Sequence, residues 1–145
     1  MANLEKKLNQ YVADLTVMYT KLHNVHWYVE GAQFFRMHEL FEEYYDQVTA
    51  DLDEVAERML QIDMKPVGSL KGALELAKIE ERDDKFGADK DLLEVVKKDF
   101  DYFLNASKEI TSIASEAGDE PTADLMIGFT AHYEKALWMI NALLK

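Results

Sequence analysis

Four long stretches of the sequence repeat apolar residues at intervals of three and four, which places those side chains on one stripe of a helix. The first stretch covers residues 3–29, with Asn3 as its predicted N-cap. The second covers residues 34–61 without a Pro or Gly, and the third follows Asp89, its predicted N-cap. The fourth has Pro121 in its first turn. The pattern predicts four long helices.

The connections between these helices differ in length. Short turns at residues 30–33 and around Gly118 suit antiparallel helix pairs. The second and third helices are joined by roughly 25 residues, which must travel the length of a bundle. This crossover contains a short predicted helix from Leu70 to about Ala77, with Ser69 as its N-cap. The sequence therefore predicts an all-α, ferritin-like four-helix bundle with a short extra helix in the crossover, as one domain over residues 1–145.

Composition agrees with this architecture and restricts the function. The chain is 48% hydrophobic with only 2 Pro and 6 Gly, which favours helices, and the absence of Cys excludes thiolate sites. No apolar run approaches the roughly 20 residues of a membrane span, and the N-terminus lacks a signal-peptide core. We therefore expect a cytoplasmic protein. A net charge of -12 without a Lys or Arg cluster disfavours binding to nucleic acid phosphates.

A set of polar residues accompanies the apolar stripe of the second helix. His38 and Glu42 are spaced i,i+4, as are Asp53 and Glu57, and at about 100° per residue all four lie on one side of the helix. His26 lies near the end of the first helix, so an antiparallel turn brings it close to His38. Histidine and carboxylate side chains are suitable ligands for Fe(II), although they do not by themselves identify the metal.

The two pairs on the second helix are too far apart to bind one ion within a subunit. Their centres are separated by about 15 residues, or about 22 Å at 1.5 Å per residue. A two-fold interface resolves this separation, because each surface then meets a copy of itself. If two copies of the helix cross antiparallel near Gln47 and Val48, the acidic pair of one copy meets the His38–Glu42 pair of the other. The small residues Thr49 and Ala56 on this face would ease the close approach.

Other interpretations remain open on spacing alone. The helix carries further acids, including Asp51, so a solvated acidic surface explains the polar set equally well. The remaining histidines, His23 and His132, are interpreted as structural. A di-iron centre inside one bundle is disfavoured, because it requires Glu-x-x-His motifs and no histidine here has Glu three residues before it.

Three segments together resemble the signature of the Dps family, the mini-ferritins known as DNA-binding proteins from starved cells. They are KLHNVHWYVEG at Lys21–Gly31, FFRMHELFEEYYD directly after the turn, and DLDEVAER at Asp51–Arg58. The resemblance extends over nearly the whole chain and implies a hollow homo-oligomeric shell of twelve subunits, with ferroxidase centres between two-fold-related subunits. The implied ligands are His26, His38 and Glu42 from one subunit with Asp53 and Glu57 from the other. Many relatives have Asp in place of Glu42, and the extra methylene changes its reach.

The resemblance also implies the chemistry. Fe(II) is oxidised at these centres, preferably by hydrogen peroxide, and the ferric product is stored as mineral inside the shell, so iron is the implied metal and an oxidative-stress role follows. Trp27, next to His26, would then accept a stray oxidising equivalent, although packing alone is the more common role for Trp27 and Trp138.

Asp119 and Asp124 resemble acidic residues that line the three-fold pores of the family. The alternative is that they are ordinary acids at a helix N-terminus, favoured by the helix dipole. Gly128, one turn further on, is not acidic. A role in binding nucleoid DNA is the alternative function, but direct binding in relatives uses Lys-rich tails, and this chain has none in its sequence.

Overall fold

The computed structural model describes residues 1–145 and consists of five helices and one two-stranded sheet. The helices are α1 (Ala2–Tyr28), α2 (Phe34–Gln61), α3 (Leu70–Leu76), α4 (Asp89–Glu116) and α5 (Glu120–Leu144), and the strands are β1 (Val29–Glu30) and β2 (Gly87–Ala88). α1 packs along α2 and α4 along α5, while α3 lies in the crossover against α1. The predicted bundle and its extra helix are confirmed.

The apolar stripes of the long helices meet in one continuous core. Aromatic rings fill its middle: Tyr11 of α1 packs edge-on against Phe103 of α4 at 5.5 Å between ring centroids. Phe103 in turn stacks on Tyr133 of α5, also at 5.5 Å. Such pairs contribute about 0.5–1.5 kcal/mol each beyond the burial of their area. None of the helices combines the length and apolar character that a membrane span requires.

A buried carboxylate fastens the crossover to α1. Oδ1 of Asp14 accepts hydrogen bonds from the backbone N–H groups of Lys78, at 2.7 Å, and Ile79, at 2.9 Å. Its Oδ2 accepts a hydrogen bond from the Tyr102 hydroxyl of α4. Burial raises the pKa of Asp14, while these hydrogen bonds oppose that increase. One side chain of α1 therefore supplies the acceptors that the crossover backbone and α4 require.

A strand pair and a carboxylate stabilise the turn between α1 and α2. β1 and β2 pair in parallel, with Val29 opposite Gly87, so the end of the crossover lies beside this turn. Gly31 adopts a φ of 127°, which a residue with a side chain rarely adopts. Oδ2 of Asp89 accepts a hydrogen bond from the Gln33 N–H at 3.0 Å. The chain direction between the two helices is thereby fixed.

Several predicted details are wrong at the helix ends. Asp89 is not the N-cap of α4: Ala88 holds that position, and the Asp89 carboxylate binds the α1–α2 turn instead. Asn3 is not the N-cap of α1 either, because the helix already includes Ala2. The first helix was predicted to extend to residue 29, but α1 ends at Tyr28, and Val29 is part of β1.

Other predicted details are confirmed or corrected along the helices. The Ser69 hydroxyl caps α3 by accepting the Gly72 N–H at 3.1 Å, and Pro121 lies in the first turn of α5. Asp51, counted among the surface acids of the second helix, is buried and accepts a hydrogen bond from the Gln47 amide at 2.8 Å. Burial raises the pKa of Asp51 to about 6.

Replacing Asp14 by Ala should destabilise the fold, because two backbone N–H groups and the Tyr102 hydroxyl lose their acceptor. We expect the thermal unfolding midpoint to fall by about 5–10 °C, corresponding to about 2–3 kcal/mol. Asp14→Asn keeps one acceptor oxygen, so its unfolding midpoint should fall less. Asp101→Ala, on the exposed face of α4, should leave the midpoint almost unchanged. Calorimetry of the three variants checks this, and a wild-type midpoint for Asp14→Ala would contradict it.

Candidate metal centre

His26 and His38 face each other across the turn between α1 and α2. The Nδ1–H of His26 donates to the backbone carbonyl of His38 at 2.6 Å, and the Nδ1–H of His38 donates to the carbonyl of His26 at 2.8 Å. The two rings stack with centroids 3.7 Å apart and planes 12° from parallel. Two reciprocal hydrogen bonds therefore connect the end of α1 to the beginning of α2.

These hydrogen bonds determine which nitrogen of each ring carries the proton. A carbonyl oxygen only accepts, so Nδ1 is the donor in both rings and Nε2 of a neutral ring keeps its lone pair. The His26 carbonyl belongs to the last turn of α1, where carbonyl groups lack partners within the helix. A metal-ligating histidine usually has its other nitrogen bonded to a carbonyl or carboxylate in this way. Both Nε2 atoms consequently have a lone pair that can bind a metal.

Glu42 is the third potential metal ligand that one subunit provides near His26 and His38. Its Oε1 lies 3.8 Å from Nε2 of His26, while most of its side chain is exposed. Two ligand atoms that are each about 2 Å from one ion lie roughly 3–4 Å apart, so this separation fits a shared metal. Burial of the ring lowers the pKa of His26, and the hydrogen bond to the His38 carbonyl only partly offsets that effect. The neutral, metal-binding form of His26 is therefore favoured.

Asp53 and Glu57 lie elsewhere on α2 with exposed side chains. No group of three or more His, Asp and Glu side chains within the chain forms a metal site. The structure thus brings together His26 and His38, with Glu42 beside His26, and leaves the acidic pair apart from them. Their contribution to one centre stays a prediction that requires a second subunit.

The first of the two predicted pore residues has a structural role. Asp119 is the N-cap of α5, and its Oδ1 lies 2.9 Å from Nη2 of Arg58 on α2. Burial alone would raise the pKa of Asp119, but hydrogen bonds from Thr122 and Arg58 outweigh burial and lower it. Asp124 is exposed on the same helix. The pore assignment stays a prediction, while sequence reasoning missed the partnership with Arg58.

Comparisons with known proteins agree with this fold. The ferritin-like domain family matches residues 5–145. The DNA protection during starvation protein 2 of Bacillus anthracis is 44% identical over 138 residues, covering 94% of this chain and 93% of that protein. The crystal structure of Dps from Staphylococcus aureus has a TM-score of 0.95 at 38% identity, covering 100% of this chain and 97% of the other.

A Dps structure from Vibrio cholerae O1, described as a member of a broad superfamily of ferritin-like diiron-carboxylate proteins, has a TM-score of 0.94 at 34% identity. It covers 99% of this chain and 90% of the other. Full-length matches at this level, together with the helical bundle, define a ferritin-like protein. The chain belongs to the Dps family, as its sequence signature predicted.

The lowered pKa of His26 has a measurable consequence in the metal-free protein. Because burial of the ring lowers this pKa, His26 takes up its proton at a lower pH than an ordinary histidine, whose pKa is about 6.5. We expect NMR titration of the imidazole ring protons to give a midpoint for His26 below that value, with His26→Gln identifying its signal. A midpoint at or above the ordinary value would contradict the prediction.

Proposed function

We propose that this protein is a ferroxidase that oxidises Fe(II) and stores the ferric product. The observation that carries the proposal is the pair of reciprocal hydrogen bonds between His26 and His38, which leaves Nε2 of each ring available beside the Glu42 carboxylate. Imidazole and carboxylate ligands suit iron, and carboxylates favour the harder Fe(III) product. Iron is the substrate and the stored cargo of this reaction.

A second subunit supplies the rest of the centre in this proposal. The exposed face of α2 around Asp53 borders a cavity of about 710 Å³, which is also lined by the small side chains of Thr49 and Ala56. Leu70 of α3 lies at the same cavity and is largely exposed. In a two-fold interface such a face meets its own copy. Antiparallel crossing of two α2 helices then brings Asp53 and Glu57 of one subunit to His26, His38 and Glu42 of the other.

The chemistry follows from a centre with few protein ligands. Coordination positions that the protein does not fill remain open to an oxidant. Two Fe(II) ions give one electron each to hydrogen peroxide, whose O–O bond breaks and, with two protons, yields two water molecules. Because both electrons are delivered together, no hydroxyl radical is released. The preference for peroxide over oxygen and the cytoplasmic location are part of the proposal and rest on the family resemblance.

The charge of the chain suits a cation as cargo. Each subunit carries a formal charge of -12, so a shell of twelve subunits would carry twelve times that charge. Such a field concentrates Fe(II) near the protein and repels polyanions. Asp124, exposed near the start of α5, is the better of the two predicted pore residues, since the carboxylate of Asp119 is occupied by Arg58.

A second function is favoured by the name of the Bacillus anthracis relative, a DNA protection during starvation protein. Direct contact with DNA requires clustered cationic side chains to displace counterions, and the 16 Lys and Arg residues here are outnumbered by 28 acids. Removing Fe(II) and peroxide would protect DNA without contact. We therefore place any protective effect in the iron chemistry.

The double variant Asp53→Ala/Glu57→Ala tests the proposal. We expect it to fold and assemble like the wild type, because both side chains are exposed, and to lose rapid Fe(II) oxidation by peroxide. Stopped-flow absorbance of the ferric product measures the rate. The matched control, Glu54→Ala/Asp101→Ala, removes the same charge from exposed positions and should keep the rate. Full activity of the Asp53/Glu57 variant would show that these residues are not part of the centre.

A further inference from the structure

The rings of His26 and His38 belong to a longer column of packed rings. On one side, Phe34 stacks on His38 with centroids 5.1 Å apart and planes 19° from parallel. On the other side, Tyr45 meets His26 edge to face, at 5.4 Å and 89°. The ring of His23 then lies flat on Tyr45, at 3.8 Å and 19°. The two proposed ligands are thus interior members of a column of five rings.

His23 is held firmly at the α1 end of this column. Its Nδ1–H donates to the backbone carbonyl of Tyr19, one turn earlier in the same helix, at 2.7 Å. Its ring also packs against Tyr19 at 4.6 Å and against Trp27 at 5.4 Å. The orientation of the His23 ring is therefore determined by α1 itself, and its contact with Tyr45 is through the ring face.

Tyr45 connects this fixed ring to the proposed centre. It lies on α2 three residues after Glu42, and burial and the neighbouring Glu42 carboxylate raise the pKa of its hydroxyl. The His26 ring is thus covered by His38 on one side and by Tyr45 on another. A ligand ring binds well only if its metal-binding nitrogen is held in the productive direction by surrounding groups. One hydrogen bond leaves the ring some freedom, which packing against Tyr45 removes.

We propose that His23 and Tyr45 are positioning residues of the metal centre: His23 holds Tyr45 in place, and Tyr45 holds the His26 ring in its metal-binding orientation. Neither residue is a ligand in this arrangement. The inference rests on the proposed function, because it requires that His26 binds a metal.

Substitutions that separate ring stacking from volume test the inference. His23→Leu fills the space without a flat ring, while His23→Phe keeps the stacked face and loses only the hydrogen bond to Tyr19. His132→Leu is the matched control, since His132 is also half-buried but packs against Tyr133 on α5. Co(II) titration of the assembled protein measures affinity and the visible spectrum of the bound ion. Fe(II) oxidation gives KM and kcat separately.

We expect His23→Leu to weaken Co(II) binding about tenfold, with an altered visible spectrum and a raised KM for Fe(II). His23→Phe should recover most of the affinity and the wild-type spectrum, and His132→Leu should match the wild type. Tyr45→Leu should reproduce the effect of His23→Leu. If His23→Leu fails to assemble, Tyr45→Leu provides the test of the positioning role.

Wild-type affinity and spectrum in His23→Leu or Tyr45→Leu would overturn the positioning role, as would a His23→Phe variant that is as weak as His23→Leu. A separate variant distinguishes this failure from failure of the proposed function. His38→Ala should abolish the Co(II) spectrum. If His38→Ala keeps the Co(II) spectrum, the proposed metal centre is wrong. If His38→Ala loses the spectrum while His23→Leu and Tyr45→Leu keep it, only the positioning role of His23 and Tyr45 is wrong.

Discussion

The unbroken length of α2 is the constraint on which the site depends. The helix runs for 28 residues from Phe34 to Gln61, and no Pro or Gly interrupts it. Buried residues such as Phe41, Val48 and Val55 fix its rotation against the core, so its polar flank faces the same way along the whole helix. A rise of about 1.5 Å per residue then keeps the His38–Glu42 pair about 22 Å from the Asp53–Glu57 pair. In the proposed centre, one subunit therefore supplies halves of two sites and no complete one.

The other polar interactions of the structure hold the ends of α2 in position. At its beginning, the β1–β2 pair and the Asp89 carboxylate fix the turn that sets His26 against His38. At its end, Arg58 binds Asp119 at the start of α5. These contacts leave most of the candidate ligands outside the core, where they are accessible to a metal and to a second subunit.

Local periodicity was sufficient to predict the helices, the crossover and the short α3, because apolar spacing and turn residues are short-range signals. It also placed His26 near His38, since the turn between their helices is only a few residues long. The β1–β2 pair was not predictable, because two residues carry no period and their partners lie far apart in the sequence. The role of Asp89 was missed for the same reason: a helix N-cap and an acceptor for a distant turn look identical in one sequence.

Tertiary contacts also explain why single residues were misjudged. Asp51 looks like one more surface acid of α2, and only the packing of the bundle shows that it is buried. The reciprocal bonds between His26 and His38 depend on the relative height of two helices within a fraction of a turn. Sequence spacing gives that height only to within about one turn, or about 5 Å. The closeness of His26 and His38 was therefore predictable from the sequence, while their hydrogen-bond partners were not.

A site shared between two subunits can be detected by complementation of two inactive variants. The variants His38→Ala/Glu42→Ala and Asp53→Ala/Glu57→Ala should each be inactive alone, because each lacks one half of every site. When the two chains are unfolded and reassembled together in equal amounts, half of the two-fold pairs contain both kinds of chain, and one of the two sites in each such pair is intact. We expect Fe(II) oxidation at about a quarter of the wild-type rate. No recovery of activity in assembled mixtures would contradict it.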